Sequence, residues 1–363
     1  MSNVDAVSWL TVAKIAGAFV AFIIGSGFAT GQETLQFFAA YGLHGIAGAL
    51  VAAGALIYAC VSFMNTGRTL GLTRNEDVFR HYCGAPIGIF LTWYTMVFIV
   101  AVHAIMLAGA GAVLNQAYGM PTYLGSALMA LISMGTLLLG LNKILDVMGL
   151  VGPLIIFLTI AIAILTLLGR GTHLGAGVEM VSDLEILKAS EHWLFSGFLY
   201  VGLIMLGLGS FIPAVGATAS NPSEILYSSV LGPVLLMGAM ILVVLALLTS
   251  IEEVHQAEVP IMVLATNALP IYGAVFAVII FMGIYTTATP LLWTICARFA
   301  EEATPRYRLL VIALTLVGLI GGLALPFGKL VNLIYPTVGY AGLLLLACLI
   351  FTDIRAAFFS TVE

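Results

Sequence analysis

The chain has 363 residues and a formal net charge of −5, with 62% of its residues hydrophobic and only 8% charged. A water-soluble domain carries about a quarter charged residues, so this composition excludes a globular protein in water and leaves a bundle of helices in lipid. The acidic balance offers no basic footprint for nucleic acid.

The four cysteines, Cys60, Cys83, Cys296 and Cys348, are scattered without CxxC spacing and read as single buried thiols rather than a disulfide frame or a metal site. The opening MSNVDAVSWL has neither a basic n-region nor a cleavage site, so the first hydrophobic segment is expected to stay in the protein.

A helix needs roughly 20 apolar residues to cross the bilayer core. On that rule the predicted spans are 9–40, 43–64, 86–115, 121–141, 144–168, 193–218, 225–249, 270–299, 307–326 and 330–352. The shorter apolar stretch Val259 to Ala268 reads as a hairpin or surface helix rather than a crossing. The helices divide into a first group of five over residues 1–168, a loop over 169–192 and a second group of five over 193–363.

Retention of lysine and arginine on the cytoplasmic side sets the orientation. With the N-terminus cytoplasmic, Lys14, Arg68, Arg74, Arg80, Lys143, Arg298, Arg306, Arg308 and Arg355 fall inside, against Arg170, Lys188 and Lys329 outside. Ten spans therefore predict a multi-pass protein of the cytoplasmic (inner or plasma) membrane with both termini cytoplasmic. The outside loops are acidic, with Glu179, Asp183, Glu185 and Glu191 before the sixth span and Glu252, Glu253 and Glu258 after the seventh. Such a surface attracts cations, although acidic residues are also simply free to sit there.

The first span is too long for one straight crossing and contains AGAFVAFIIGSGFATGQE over residues 16–33. Each glycine costs a water-exposed helix about 1 kcal/mol, and in a membrane small residues also serve close helix packing. Packing does not explain why the apolar segment runs on past Gly31 into GQETLQFF. A discontinuous helix does: one half ends near Ile24, the chain unwinds over Gly25-Ser26-Gly27, and a second half starts at Phe28. Freed backbone groups must then face protein, water or a ligand. Amides at Ser26 and Gly27 suit an anion such as a carboxylate, and carbonyls at the end of the first half suit a cation.

The sixth span repeats the feature. Leu199 to Gly216 reads LYVGLIMLGLGSFIPAVG, with Gly202, Gly207, Gly209 and Pro213 interrupting an otherwise apolar stretch; the break is expected to hold Gly202-Leu203-Ile204-Met205, with Tyr200 two residues before it. Glycine-interrupted helices at matching positions of two halves point to an inverted-repeat binding site at mid-membrane.

The run GSGFATGQETLQFFAAYGLHG resembles the first-helix signature of the YkvI-like membrane proteins, a group within the amino acid-polyamine-organocation superfamily. The resemblance implies an all-α LeuT-like fold of five plus five inverted helices, with helices 1 and 6 unwound. In LeuT-fold sodium symporters a sodium ion sits between first-helix carbonyls and eighth-helix oxygens. Carried onto this chain, that implies Ala21 and Ile24 on the first span, with Met282, Thr286 and Thr287 in FMGIYTTAT on the eighth. Threonines in membrane helices also bond back to their own backbone, which is the competing reading.

Glu33 is the most informative single residue, because a carboxylate inside a membrane helix is costly and usually functional. On a straight helix it lies about 9 Å along the axis from Gly27. It is a candidate for contact with a cationic substrate, for an outer gate or for a coupled proton; a capping or snorkelling carboxylate is the bland alternative. His103, midway along the third span, is a structural histidine or a proton relay. Lys14 reads as a snorkelling residue or as a latch to Asp146 or Asp353. Tyr94 and Tyr285 are further aromatic candidates for the pocket.

These features predict a secondary active transporter of a small organic solute, an amino acid or amine, working by alternating access. Ile24, Gly25, Ser26, Gly27, Phe28, Glu33, Tyr200, Gly202 and Met205 form the expected binding site. There is no GxxxxGK[ST] loop, so coupling falls to Na+ or H+, no cofactor is expected, and the partners are the solute and the lipid bilayer around a monomer or homodimer. The alternative is a receptor subunit that binds the solute without moving it. An enzyme is not expected, for want of a polar cluster at depth.

Overall fold

A computed structural model describes residues 7–23, 26–72, 74–139, 144–209, 211–219, 221–302 and 304–360. The first span is built of three pieces: α1 (Trp9–Ile23), α2 (Ser26–Thr30) and α3 (Gln32–Phe37). Then come α4 (Leu43–Leu70), α5 (Asn75–Tyr118), α6 (Thr122–Leu139) and α7 (Ile144–Arg170). Gly84, at φ 72°, turns the chain inside α5 and separates a short amphipathic start from the third crossing.

The short α8 (Leu174–Met180) lies in the connecting loop, and the second half opens with the sixth span, which is split into α9 (Trp193–Gly207) and α10 (Phe211–Gly216). It continues through α11 (Pro222–Leu248), the one-turn α12 (Ile251–Val254) and α13 (Pro260–Ala268). It closes with α14 (Pro270–Phe299), α15 (Pro305–Gly322) and α16 (Phe327–Ser360).

Eight of the described helices are long and apolar enough to cross a membrane, and the first and sixth spans cross in pieces. The ten predicted crossings are all present, and Val259 to Ala268 forms the short α13 instead of a crossing. An even count returns the chain to the face on which it began, here the terminal face, opposite the far face.

Apolar side chains populate the outside as well as the inside: Leu139 is 91% exposed, Ile320 72% and Phe351 67%. In water such a surface would aggregate; in lipid it is the ordinary exterior. The four cysteines are free, with Cys60 and Cys296 buried and Cys83 and Cys348 half-buried.

Of the four interrupting residues read from the sequence, Gly202 is not at the break: Gly202 to Met205 lie within continuous α9, which ends at Gly207, and α10 begins at Phe211. Pro213 accounts for the later break, because without an N–H it cannot donate to the carbonyl of Gly209 four residues earlier. Gly202 instead serves close packing. A Cβ there would strike the carbonyl oxygen of Gly339 and lie 2.9 Å from the amide nitrogen of Leu343, both on α16.

Candidate functional site

The first span interrupts its hydrogen-bond ladder twice. α1 stops at Ile23 and α2 begins at Ser26, so Ser26 and Gly27 are helical rather than unwound and the second piece starts two residues before Phe28. Ile24 and Gly25 lie outside the described residues, as do the side chains of Ala21 and Ser26. The second interruption, at Gly31, was not legible in the glycine pattern. Gly31 adopts the left-handed φ of +86°, and Ile261 of α13 presses on it so closely that a Cβ would sit 2.8 Å from Ile261 Cγ1 and 3.2 Å from Ile261 N. Only glycine meets both demands. The Thr30 hydroxyl donates to the Gly27 carbonyl oxygen at 3.1 Å, which satisfies one group freed by the irregular backbone.

This second turn relocates Glu33. On a straight helix it would stand away from Gly27 on a different side. Here a Cβ on Gly27 would collide with Glu33 Oε2 and would lie 3.0 Å from Tyr335 Cε2 of α16. The carboxylate therefore rests on Gly27, in the space a side chain would fill. Glu33 is 6% exposed, and every residue of α3 is buried, including Gln32, Thr34 and Gln36. No lysine or arginine forms an ion pair with it among the described residues.

Tyr200, fully buried on α9, brings its hydroxyl beside the Glu33 carboxylate without meeting hydrogen-bond geometry, so that phenol oxygen has no partner among the described residues. Phe37 and Phe38 pack edge-on against its ring at 5.5 and 5.1 Å between centroids. The two interrupted spans meet again lower down, where Phe22 stacks on Phe211 at 4.4 Å. Phe28 is buried in α2 and Met205 in α9. Of the sequence candidates, the structure thus joins Gly27, Glu33 and Tyr200, adds Tyr335, and leaves Gly202 at a helix contact.

Above this cluster the far face is sealed by amides. Gln32 Nε2 donates to the Ala257 carbonyl at 2.6 Å. Gln36 Nε2 donates to the Gly328 carbonyl and to Gln32 Oε1, both at 2.8 Å. Asn332 Nδ2 donates to Gln36 Oε1 at 3.1 Å and to the Lys188 carbonyl at 2.8 Å. The Gly328 amide donates to Glu258 Oε2 at 2.7 Å, and Gln116 brackets the backbone of Val259. Burial pushes the Glu258 carboxyl above its ordinary range, against the opposing pull of the Gly328 N–H and the Lys329 ammonium. The seam ties α3, the segment before α13, α5 and the start of α16 into one lid, and nothing but glutamine and asparagine composition hinted at it.

The remaining candidates make their hydrogen bonds elsewhere. The Thr286 and Thr287 hydroxyls both donate to the Gly283 carbonyl of their own helix, at 2.8 and 3.2 Å. Met282 is 37% exposed. His103 is buried and bonded through Nδ1 to the Ala288 carbonyl at 3.1 Å. A carbonyl only accepts, so Nδ1 carries the proton and Nε2, which has no partner, is the acceptor. Tyr94 donates to the Thr337 carbonyl and Tyr285 pairs with Thr136. Lys14 is exposed, and Asp353 accepts from the Tyr58 hydroxyl instead, at 2.9 Å. The Asp146 side chain lies outside the described residues.

No family model matches the chain. It is 22% identical over 355 residues to the uncharacterised membrane protein YkvI of Bacillus subtilis, covering 94% of this chain and 95% of that one. It is 23% identical over 330 residues to the uncharacterised protein YyaD of the same organism, covering 90% and 93%. Among solved structures it resembles the inward-facing conformation of Mhp1 at a TM-score of 0.59 and 14% identity, over 91% of this chain and 73% of that one. It also resembles a mutant of the Eremococcus coleocola manganese transporter at a TM-score of 0.51 and 15% identity, over 92% and 76%.

The chain has the LeuT fold. In LeuT-fold terms, α1 to α3 are the divided first helix and α9 with α10 the divided sixth. The third and eighth LeuT-fold helices are α5 and α14, and α13 is the short helix between the seventh and eighth crossings. The expected five-plus-five helical architecture with unwound first and sixth spans is therefore what the chain forms, at near full length of its Bacillus relatives.

Proposed function

We propose that the chain is a secondary active transporter that carries a small organic solute by alternating access around the Gly27–Glu33–Tyr200 cluster. The observation that carries this reading is the cluster itself: a buried carboxylate on the interrupted first span meets an unpartnered phenol on α9, the first piece of the divided sixth. Residues 1–168 and 193–363 act as the two repeats, joined by an extracellular 169–192 loop, with both termini in the cytoplasm. The amide seam then closes the extracellular side, and the state described here is closed to the outside. The likeness to an inward-facing structure supports the same assignment.

The solute is an amino acid or amine. A divalent metal such as manganese takes several oxygen ligands, whereas the cluster offers one carboxylate among its described residues. Glu33 favours a cationic group on the solute, and the backbone at Ser26 and Gly27 favours a carboxylate.

Reconstitution into proteoliposomes tests the reading. Labelled amino acids or amines should accumulate under an imposed sodium or proton gradient. Saturable binding of a solute with no accumulation under either gradient would make the chain a sensor built on the same fold.

A further inference from the structure

We propose that Glu33 is a proton-binding site and that the proton is the coupling ion, bound while the carboxylate rests on Gly27 and released when it swings away. This deepens the transporter reading and rests on it.

The first support is electrostatic. Glu33 is 6% exposed, and an uncompensated charge at such a position costs several kcal/mol. Among the described residues, the groups facing it from neighbouring elements supply no cation. α9 contributes Tyr200 and α16 contributes Tyr335. The ammonium of Lys329, at the outer end of α16, lies by Glu258 instead. His103 on α5 is occupied by the Ala288 carbonyl and Tyr285 on α14 by Thr136. α13 carries no titratable side chain, and the acid on α11, Glu224, is engaged at the opposite end by the Ser8 amide.

Space is the second support. Oε2 lies where a Cβ of Gly27 would be, so no atom fits between carboxylate and backbone there. A sodium ion needs several oxygens around it. The threonine hydroxyls assigned to one by resemblance lie on α14 and donate to Gly283 of their own helix, with no hydrogen bond to Glu33.

The third is the idle phenol. Tyr200 OH is buried, beside the carboxylate, and unpartnered. It is placed to donate to the carboxylate once Glu33 has lost its proton, so the two charge states differ in one hydrogen bond and in whether Glu33 leaves Gly27. The step balances simply: the carboxylic acid becomes carboxylate plus a proton, which passes to water on whichever side is open.

The test uses the full chain in liposomes, titrated with pH and watched by infrared difference spectroscopy for the carboxylic acid C=O band. The expected result is a protonated band that titrates, is absent in Glu33→Gln, persists in Glu258→Gln and ignores added sodium at fixed pH. Tyr200→Phe should move its midpoint by about one pH unit, a tenfold change in proton affinity. Because Glu33→Gln could misfold, the sodium titration of the unaltered chain and the Tyr200→Phe variant stand independently of it. A band unchanged by both substitutions, or one displaced by sodium, overturns the proposal. Solute accumulation without a Glu33 band overturns the proton but leaves transport standing. A Glu33 band with no accumulation supports the proton site and overturns transport.

Discussion

The two interrupted helices are built from opposite materials. The first is polar along its last piece, where Gln32, Glu33, Thr34 and Gln36 are all buried on six residues of α3. The sixth is apolar along α9, where Ser196 and Tyr200 are the polar side chains among its buried residues. The first is broken by glycines, one of them held left-handed; the sixth is broken where Pro213 cannot donate. A LeuT fold needs two interruptions for its geometry, and here the chemistry is concentrated on one. The sixth helix supplies a phenol, an aromatic wall and a glycine contact to α16.

That asymmetry can be broken most severely at Gly31. Gly31→Val adds left-handed strain of about 1–2 kcal/mol and a clash with Ile261 of about 1–3 kcal/mol. Thermal unfolding in detergent should show a large loss or no folded protein. Gly207→Ala in the sixth break, where nothing lies within 4 Å of a Cβ, should unfold close to the unaltered chain.

Next comes Glu33→Gln. Removing the carboxyl group of the cluster should lower solute affinity or coupling at least about tenfold, equivalent to 1.4 kcal/mol, with the melting temperature kept or raised. Equal uptake in Glu33→Gln and the unaltered chain would assign Glu33 a purely structural role.

The amide seam is a further lever. Gln36→Ala leaves the Gly328 carbonyl and Asn332 short of partners, at about 1–3 kcal/mol for each buried group unsatisfied. The expected shift is toward a far face that opens, read as faster labelling of a cysteine introduced beneath the seam. Glu258 makes this seam pH-sensitive. Its carboxyl is raised in the closed seam by burial, so the closed form binds the proton more tightly than the solvated one. The seam therefore gains stability as pH falls through the raised value and loses it as pH rises from the ordinary carboxylate range. Glu258→Gln should flatten that dependence in the same labelling assay.

The smallest effect is expected at Arg170, whose guanidinium pairs with Glu253 at 2.6 Å on a solvent-exposed rim. Arg170→Ala should cost no more than about 1 kcal/mol and leave the titration of the Glu33 band untouched.

Much of this was present in the sequence. Charge depletion and runs of roughly 20 apolar residues fix ten crossings, since lipid enforces both. The GSGFATGQE run fixes a break in the first helix and places a carboxylate near it, because glycine and buried charge are both too costly to be incidental. Tertiary structure decided what those residues touch. Whether Glu33 meets Gly27 depends on a left-handed Gly31, and that conformation depends on Ile261 pressing from α13. Whether Gly202 binds solute or packs a helix depends on Gly339 and Leu343 of α16. The seam joins Gln36 to Gly328 across 292 positions of chain. Local pattern records the cost of a residue in its own helix; its partner is chosen by the packing of helices that are distant in sequence.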